Sequence, residues 1–372
     1  MRAFVFTDKA LARYAGQFVW LAVDTENSTN AAFLKKYPIS VWPTLLIVNP
    51  QKEAIALRYA GGATVPQLEK LLSDGERAVK GAKSKADEAL ERADQLANEG
   101  KHAEAAKEYE TAIAAAPKNW SRLGRASESL TFSLMQSRQP EACAERALAL
   151  YPRVEGTYSA ANVSANGLAC ASDKPEERAR LDALEKDARE TLDNPRIPLS
   201  ADDRSGLYET LIGAHDAIKD DAGAHKLREE WASFLEGEAK RAKTPEQRAV
   251  FDSHRLEVYV DLKEPERAIP MLEQSERDFP HDYNPPARLG LAYRSMGKYD
   301  EAIAAYDRAL KLAYGPREIT ILSGKAATYA MKGDKEAAKR TIEEAIRYAE
   351  SLPEGQRSDA TIASLRKKLE TI

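Results

Sequence analysis

Cysteine is scarce: 372 residues contain two, Cys143 and Cys170, too few for a disulfide scaffold and too few to set a redox compartment. A charge excess of one sign is missing as well. Lys and Arg number 55 against 59 Asp and Glu, a formal charge of −4, so no global field draws the chain to nucleic acid or an anionic membrane. No apolar run approaches the roughly 18–20 residues that span a bilayer, and the N-terminus lacks the basic, apolar, small-residue order of a secretion signal. The expectation is a cytoplasmic protein without membrane insertion and without a nucleic-acid partner. A signal peptide upstream of Met1 would place it in a bacterial periplasm instead.

The chemistry-bearing motifs are missing too. The five histidines, His102, His215, His225, His254 and His281, fall in no metal-ligand spacing such as His-Glu-x-x-His. There is no Gly-x-x-x-x-Gly-Lys-Ser/Thr phosphate loop, no Gly-x-Ser-x-Gly elbow and no dinucleotide fingerprint. The reading is no metal, no cofactor and no catalytic residue in the chain as written.

What is present divides in two. Up to about residue 75 the pattern is mixed: strand-like Phe18 to Asp24, helix-like Ser28 to Tyr37, then Trp42-Pro43-Thr44 ahead of the apolar run Leu45-Leu46-Ile47-Val48, strand-like Ala54 to Tyr59, Gly61-Gly62 and an amphipathic helix from Val65 to Leu72. After residue 76, Ala, Glu, Lys, Leu and Arg dominate, and proline falls mainly at segment ends, which predicts many amphipathic helices. Gly75 to Lys85 is expected to begin one helix running from the first part into the second, with a break at Gly81 as the alternative that would let the two swing.

The first part resembles the second half of a thioredoxin fold, of the thiol-disulfide interchange branch. In that family a cis proline before the fourth strand faces a Cys-x-x-Cys and pairs its backbone with a substrate peptide. Pro43 is the matching position, with Trp42 and Thr44 beside it, and Phe4 to Leu11 matches the segment that follows the second active-site cysteine. The resemblance implies a cysteine pair just before Met1 and a missing central strand, which leaves unpaired backbone and apolar surface on its neighbours. A misassigned or trimmed start is the expectation; a degenerate half-domain packed on the rest of the chain is the other reading.

The second part repeats itself. Gly100-Lys101-His102-Ala103-Glu104-Ala105, Gly297-Lys298-Tyr299-Asp300-Glu301-Ala302 and Gly333-Asp334-Lys335-Glu336-Ala337-Ala338 are versions of one hexamer, and around it the small and large apolar positions make a helix-packing stripe. This resembles the tetratricopeptide repeat. Carrying the frame to weaker copies places anchors at Ala142, Ala179, Ala224 and Ala268, with steps that fit a unit of about 34 residues and modest insertions. Seven helical pairs follow, with a loop at Asn194 to Pro198 and a closing helix from Ser358 to Ile372 whose Ile362, Leu365 and Leu369 share one face. The expected fold is therefore α/β, a partial thioredoxin-like domain over 1–75, then an all-α solenoid over 76–352 and a capping helix over 353–372.

Such a solenoid presents a concave groove suited to a peptide or a protein. Arg288, Tyr293 and Arg294 in one repeat and Lys325 in the next would form a positive, partly aromatic strip for an acidic segment or a C-terminal carboxylate; solvated charges and core-packing tyrosines are the plainer reading. Trp42, Pro43 and Thr44 would offer a second peptide-binding edge. Cys143 and Cys170 fall on helices that pack together, and two small buried core residues is the favoured reading, because a bridge requires Cα atoms within roughly 7 Å and matched Cβ directions. The function read from these residues is a bacterial-type protein-binding adaptor with a role in redox homeostasis, in which the solenoid recruits a client to a thioredoxin-like module without catalytic cysteines. The contrasting reading is a truncated thiol-disulfide oxidoreductase whose Cys-x-x-Cys lies upstream, so enzymatic activity stays open. A third is a structural scaffold in which the half-domain caps the first repeat. Client identity and oligomeric state stay open.

Overall fold

The computed structural model describes residues 1–372 apart from Arg2, Ser40, Ala82 and Lys83. After 3-10 turns at Lys9–Tyr14 and Ser28–Asn30 come α1 (Ala31–Lys36), β1 (Thr44–Asn49), β2 (Ala54–Ala60) and α2 (Val65–Lys80). Helical pairs follow: α3 (Lys85–Asn98) with α4 (His102–Ala115), α5 (Leu123–Gln136) with α6 (Pro140–Val154), α7 (Ser159–Ser172) with α8 (Arg178–Asp193), and α9 (Ala201–Ala217) with α10 (Asp221–Arg241). A short α11 (Pro245–Ala249) precedes α12 (Asp252–Asp261), which pairs with a 3-10 turn at Pro265–Ala268 running into α13 (Ile269–Asp278). The last pairs are α14 (Asn284–Ser295) with α15 (Tyr299–Leu310) and α16 (Pro316–Lys332) with α17 (Lys335–Ser351), closed by α18 (Asp359–Thr371). By compactness the chain forms two units, Met1–Ala15 with Val41–Trp231, and Gly16–Ser40 with Ala232–Ile372.

One packing position recurs through the helical pairs. The fourth residue of each second helix, counted from Pro265 in the 3-10-led pair, has no exposed surface: Ala105, Cys143, Leu181, Ala224, Ala268, Ala302 and Ala338 are each 0% accessible. The anchors expected at Ala142 and Ala179 are corrected by this. Ala142 is half-buried and Ala179 exposed, because α6 begins at Pro140 and α8 at Arg178, which puts the contact one and two residues further on. A search for small residues passes over this slip, since a cysteine and a leucine occupy the contact there.

In the first unit the sheet holds two antiparallel strands, β1 and β2, with a bulge between Ile47 and Val48. Alternation on β2 buries Leu57 and Tyr59, as a strand with one covered face requires. α2 starts at a capping box in which Gln67 N donates to Thr64 Oγ1 and Thr64 N to Gln67 Oε1, and it buries Leu68, Leu71 and Leu72. Gly75 lets the helix lie against Ile47, whose side chain would collide with any Cβ there. The continuous helix expected over Gly75 to Lys85 is not formed: α2 stops at Gly81, whose φ of 92° is open to glycine and strained for other residues, and α3 restarts at Lys85 from a Ser84 cap. Ala82 and Lys83, inside that expectation, lie outside the described residues.

The strand expected over Phe18 to Asp24 is also absent. A strand exists only through a ladder partner, and here Asp24 to Glu26 are engaged by side chains of the second unit instead. Val19 and Leu21 are left 87% and 77% exposed. In the same unit α18 covers the last helical pair, burying Ile362 and Leu365 in a cluster with Ile319, Leu322, Ile342 and Ala345.

Candidate peptide-binding site

In the second unit the turns that precede α14, α16 and α18 hold residues 24–35. Tyr283 stands at the start of α14, Tyr314 just ahead of α16 and Arg317 in the first turn of α16. The Tyr283 hydroxyl lies 2.8 and 2.6 Å from the two carboxylate oxygens of Glu26. Arg317 Nε donates to Glu26 Oε1 at 3.1 Å, and the Tyr314 hydroxyl donates to Asp24 Oδ2 at 2.7 Å. The tyrosine rings meet edge to face, 6.4 Å between centroids. Hydrogen bonds to ionised acceptors are stronger than neutral ones, and they tell on the phenols. Donation to Asp24 pushes the Tyr314 hydroxyl up to about 12; burial, then donation to Glu26, raises that of Tyr283 well above its ordinary value.

The same surface holds backbone. Gln356 Nε2 donates to the Thr25 carbonyl at 2.9 Å. A Cβ on Gly315 would strike the Glu26 carbonyl oxygen, and one on Gly355 the Ala31 carbonyl oxygen; Gly315 also has a φ of 60°. The seated segment keeps its own shape by side-chain turns: Glu26 N donates to Asp24 Oδ1, Thr29 N to Asn27 Oδ1 and Asn30 Nδ2 to the Asp24 carbonyl. Ala31, Leu34 and Tyr37 are buried behind it.

The residues anticipated from sequence stand elsewhere. The Trp42–Pro43 peptide bond is cis. The Pro43 carbonyl accepts from Gly61 N at 2.8 Å, Thr44 opens β1 with its hydroxyl donating to the Val41 carbonyl at 2.6 Å, and Trp42 is 61% exposed. In the other unit, Arg288 is half-buried near Asp252 and Asp282. Tyr293 packs against the cluster of Ala302, Tyr306 and Ala309, Arg294 Nη1 donates to the Gly324 carbonyl at 3.3 Å, and Lys325 pairs with Asp307 at 2.6 Å. The sequence reading did not single out Tyr283, Tyr314, Arg317 or Gln356. The available signal was a tyrosine placed just ahead of two successive first helices.

Cys143 and Cys170 are both buried, but the expectation of two unbridged core residues is corrected: α6 and α7 bring their Cα atoms to 6.1 Å and they are joined in a disulfide. Cys143 occupies the recurrent contact position, which brings it against α7. The first unit also buries an ionised cluster. Arg125 pairs with Asp94, which accepts from the Tyr109 hydroxyl as well, and Arg122 pairs with Asp87 and Asp74. Beside them, burial raises the Glu128 carboxyl above its ordinary range despite hydrogen bonds from Ser159 and Asn162.

A family model described as tetratricopeptide repeat matches residues 283–351, the stretch from Tyr283 to the end of α17. The small glutamine-rich tetratricopeptide repeat-containing protein 2 of Saccharomyces cerevisiae (strain ATCC 204508 / S288c) is 26% identical over 180 residues, 48% of this chain and 48% of that relative. The chain thus spans about half the length of the curated relative it matches. Among solved structures, BtubC from P. vanneervenii has a TM-score of 0.37 at 16% identity, over 62% of this chain and 92% of that one. A thermophilic TPR protein of Thermus thermophilus has a TM-score of 0.26 at 17% identity, over 77% and 97%. The assembly chaperone of RpL4 (Acl4) has a TM-score of 0.38 at 15% identity, over 77% and 97%. At such scores these likenesses say nothing about function. Residues 283–351 are tetratricopeptide repeats, and they lie in a mostly helical chain of paired helices. Among the described residues no helix is long and apolar enough to cross a membrane.

Proposed function

We propose that this chain is a protein-binding scaffold whose repeats recruit a client through the seam between α14 and α16. The observation that carries the reading is the pair of tetratricopeptide repeats at 283–351, in which Tyr306 fits against Gly290 of α14 and Gly324 of α16 and so sets two first helices side by side. Arg288, Tyr293, Arg294 and Lys325 stand along those helices. A client segment with carboxylates would exchange the internal partners of Arg294 and Lys325 for its own.

A finer version makes the scaffold an adaptor with a thioredoxin-like module, with Trp42, Pro43 and Thr44 as a second peptide edge. The order Trp42-Pro43-Thr44, β1, β2, α2 supports it. The thiol-disulfide alternative, whose Cys-x-x-Cys would lie upstream of Met1, draws no support from Cys143 and Cys170, which are bonded to each other.

The test places a photo-crosslinking amino acid at position 294 or 325 and, as a control, at exposed Lys367. One reproducible protein adduct from the first two positions and none from the third supports the reading. Equal labelling from all three, or no adduct, sinks it.

A further inference from the structure

The surface that holds residues 24–35 reads a peptide in two ways. Tyr283, Tyr314 and Arg317 take carboxylates two positions apart. Gly315, Gly355 and Gln356 take the backbone between and beyond them. Neither of the two contacted glycines can gain a side chain without pushing the segment off, so the surface fits the main chain of this segment closely. Gln356 adds an independent mark of a ligand surface: its side chain is 9% exposed, Nε2 is used on the Thr25 carbonyl, and Oε1 is buried without a hydrogen-bond partner. A buried amide oxygen left unmatched costs free energy, and a backbone N–H of another segment would satisfy it.

The occupant supplies the specification of the partner. Asp24 and Glu26 are carboxylates spaced i and i+2, in a stretch that bends over 25–27 and passes through the 3-10 turn at Ser28–Asn30 into α1. Two phenol hydroxyls that donate and a guanidinium that cannot accept favour anions over neutral side chains. The exposed Lys35–Glu354 pair at 2.7 Å adds little, both side chains being more than half in water.

We propose that this rim is a recognition site for an acidic segment with carboxylates at i and i+2, and that residues 24–35 fill it as a tethered ligand which a partner segment of that chemistry displaces. A ligand attached to its own receptor acts at an effective concentration on the order of millimolar. A free segment therefore binds the native chain weakly and binds well only when the tethered copy is disabled. The inference does not rest on the α14–α16 seam, which uses other residues.

The test uses the full chain and a fluorescent peptide spanning residues 22–32. In Asp24→Asn/Glu26→Gln, which keeps side-chain size and removes both charges, the peptide is expected to bind at least tenfold more tightly than to the native chain by anisotropy. Adding Tyr283→Phe, Tyr314→Phe and Arg317→Gln to that variant is expected to abolish the gain, as is the Glu-to-Gln change made in the peptide. Equal affinity for native and variant chains, or a gain that survives the triple change, overturns the proposal. Should the variant fold poorly, the native chain answers through hydrogen exchange: millimolar peptide is expected to speed exchange of the amides of residues 24–35, and unchanged protection overturns the proposal. Loss of adducts at 294 and 325 with peptide binding intact would remove the seam reading alone.

Discussion

Arg125 Nη1 lies 3.0 and 2.8 Å from the two carboxylate oxygens of Asp94, and both residues are 8% exposed. The Tyr109 hydroxyl completes the set at 2.8 Å from Asp94 Oδ1. Removing one partner of a buried pair leaves an uncompensated charge, which costs about 3–5 kcal/mol. Asp94→Ala is therefore expected to lower the urea midpoint strongly. Lys35→Ala, which breaks an exposed pair, is expected to cost less than about 1 kcal/mol. Similar losses in the two variants would show that the Arg125–Asp94 pair is solvated in solution.

Glu128 makes stability depend on pH. Burial raises its carboxyl above the ordinary 4.5, so the folded state binds this proton more tightly than the unfolded state. Its contribution is fully present below the unfolded value and is lost as pH rises through the folded one. Glu128→Gln keeps an acceptor for Asn162 and cannot ionise. It is expected to be more stable than the native chain at pH 8, with the gap closing as pH falls through the raised folded value toward 4.5 and gone below it. Urea midpoints measured across that range check it, and a gap independent of pH would refute the burial argument.

The Cys143–Cys170 bridge closes a loop with a sequence separation of 27. In the chain-entropy account such a loop stabilises by about 3–4 kcal/mol, less where the reduced, unfolded chain keeps residual structure. Reduction with a phosphine is expected to lower the thermal midpoint, and Cys143→Ala/Cys170→Ala is expected to be insensitive to the reductant. A native chain that melts identically with and without reductant would mean that the thiols are not joined in solution.

Tyr306 packs so closely on α14 that a Cβ on Gly290 would stand 2.7 Å from its ring. Gly290→Ala is expected to cost about 1–3 kcal/mol by overpacking, and Tyr306→Leu in the same chain to recover part of that loss. Gly213, exposed in α9 with nothing near its Cβ position, gives the opposite sign: Gly213→Ala is expected to gain about 0.5–1 kcal/mol from helix propensity. Calorimetric midpoints of the four chains decide the matter.

Local pattern carried much of the fold. The hexamer around Ala302 and Ala338 marked helix starts because a small residue is needed where two helices come closest, and Pro140 or Gly81 marks a boundary through its own backbone. The same rule missed Cys143 and Leu181, since what recurs is a position in the helix and not a residue type. The rim site was less legible. Asp24 read as the end of a strand, Glu26 fell between that strand and the next helix, and nothing in the local pattern marked Tyr283 or Tyr314.

Helical periodicity, capping residues and turn glycines act within a few positions of each other, so the amino-acid order was enough to place helical pairs, the β1–β2 hairpin and the closing helix. The partners of Glu26 needed the folded chain: Tyr283 lies 257 positions away and Arg317 lies 291. Pairing across such distances leaves no spacing to read, because it follows from where the repeats set their turns in space. For the same reason the strand expected at Phe18 to Asp24 was decided by tertiary structure. A strand depends on a ladder partner, and the strongest partners within reach of that segment were the donors at the turns before α14, α16 and α18.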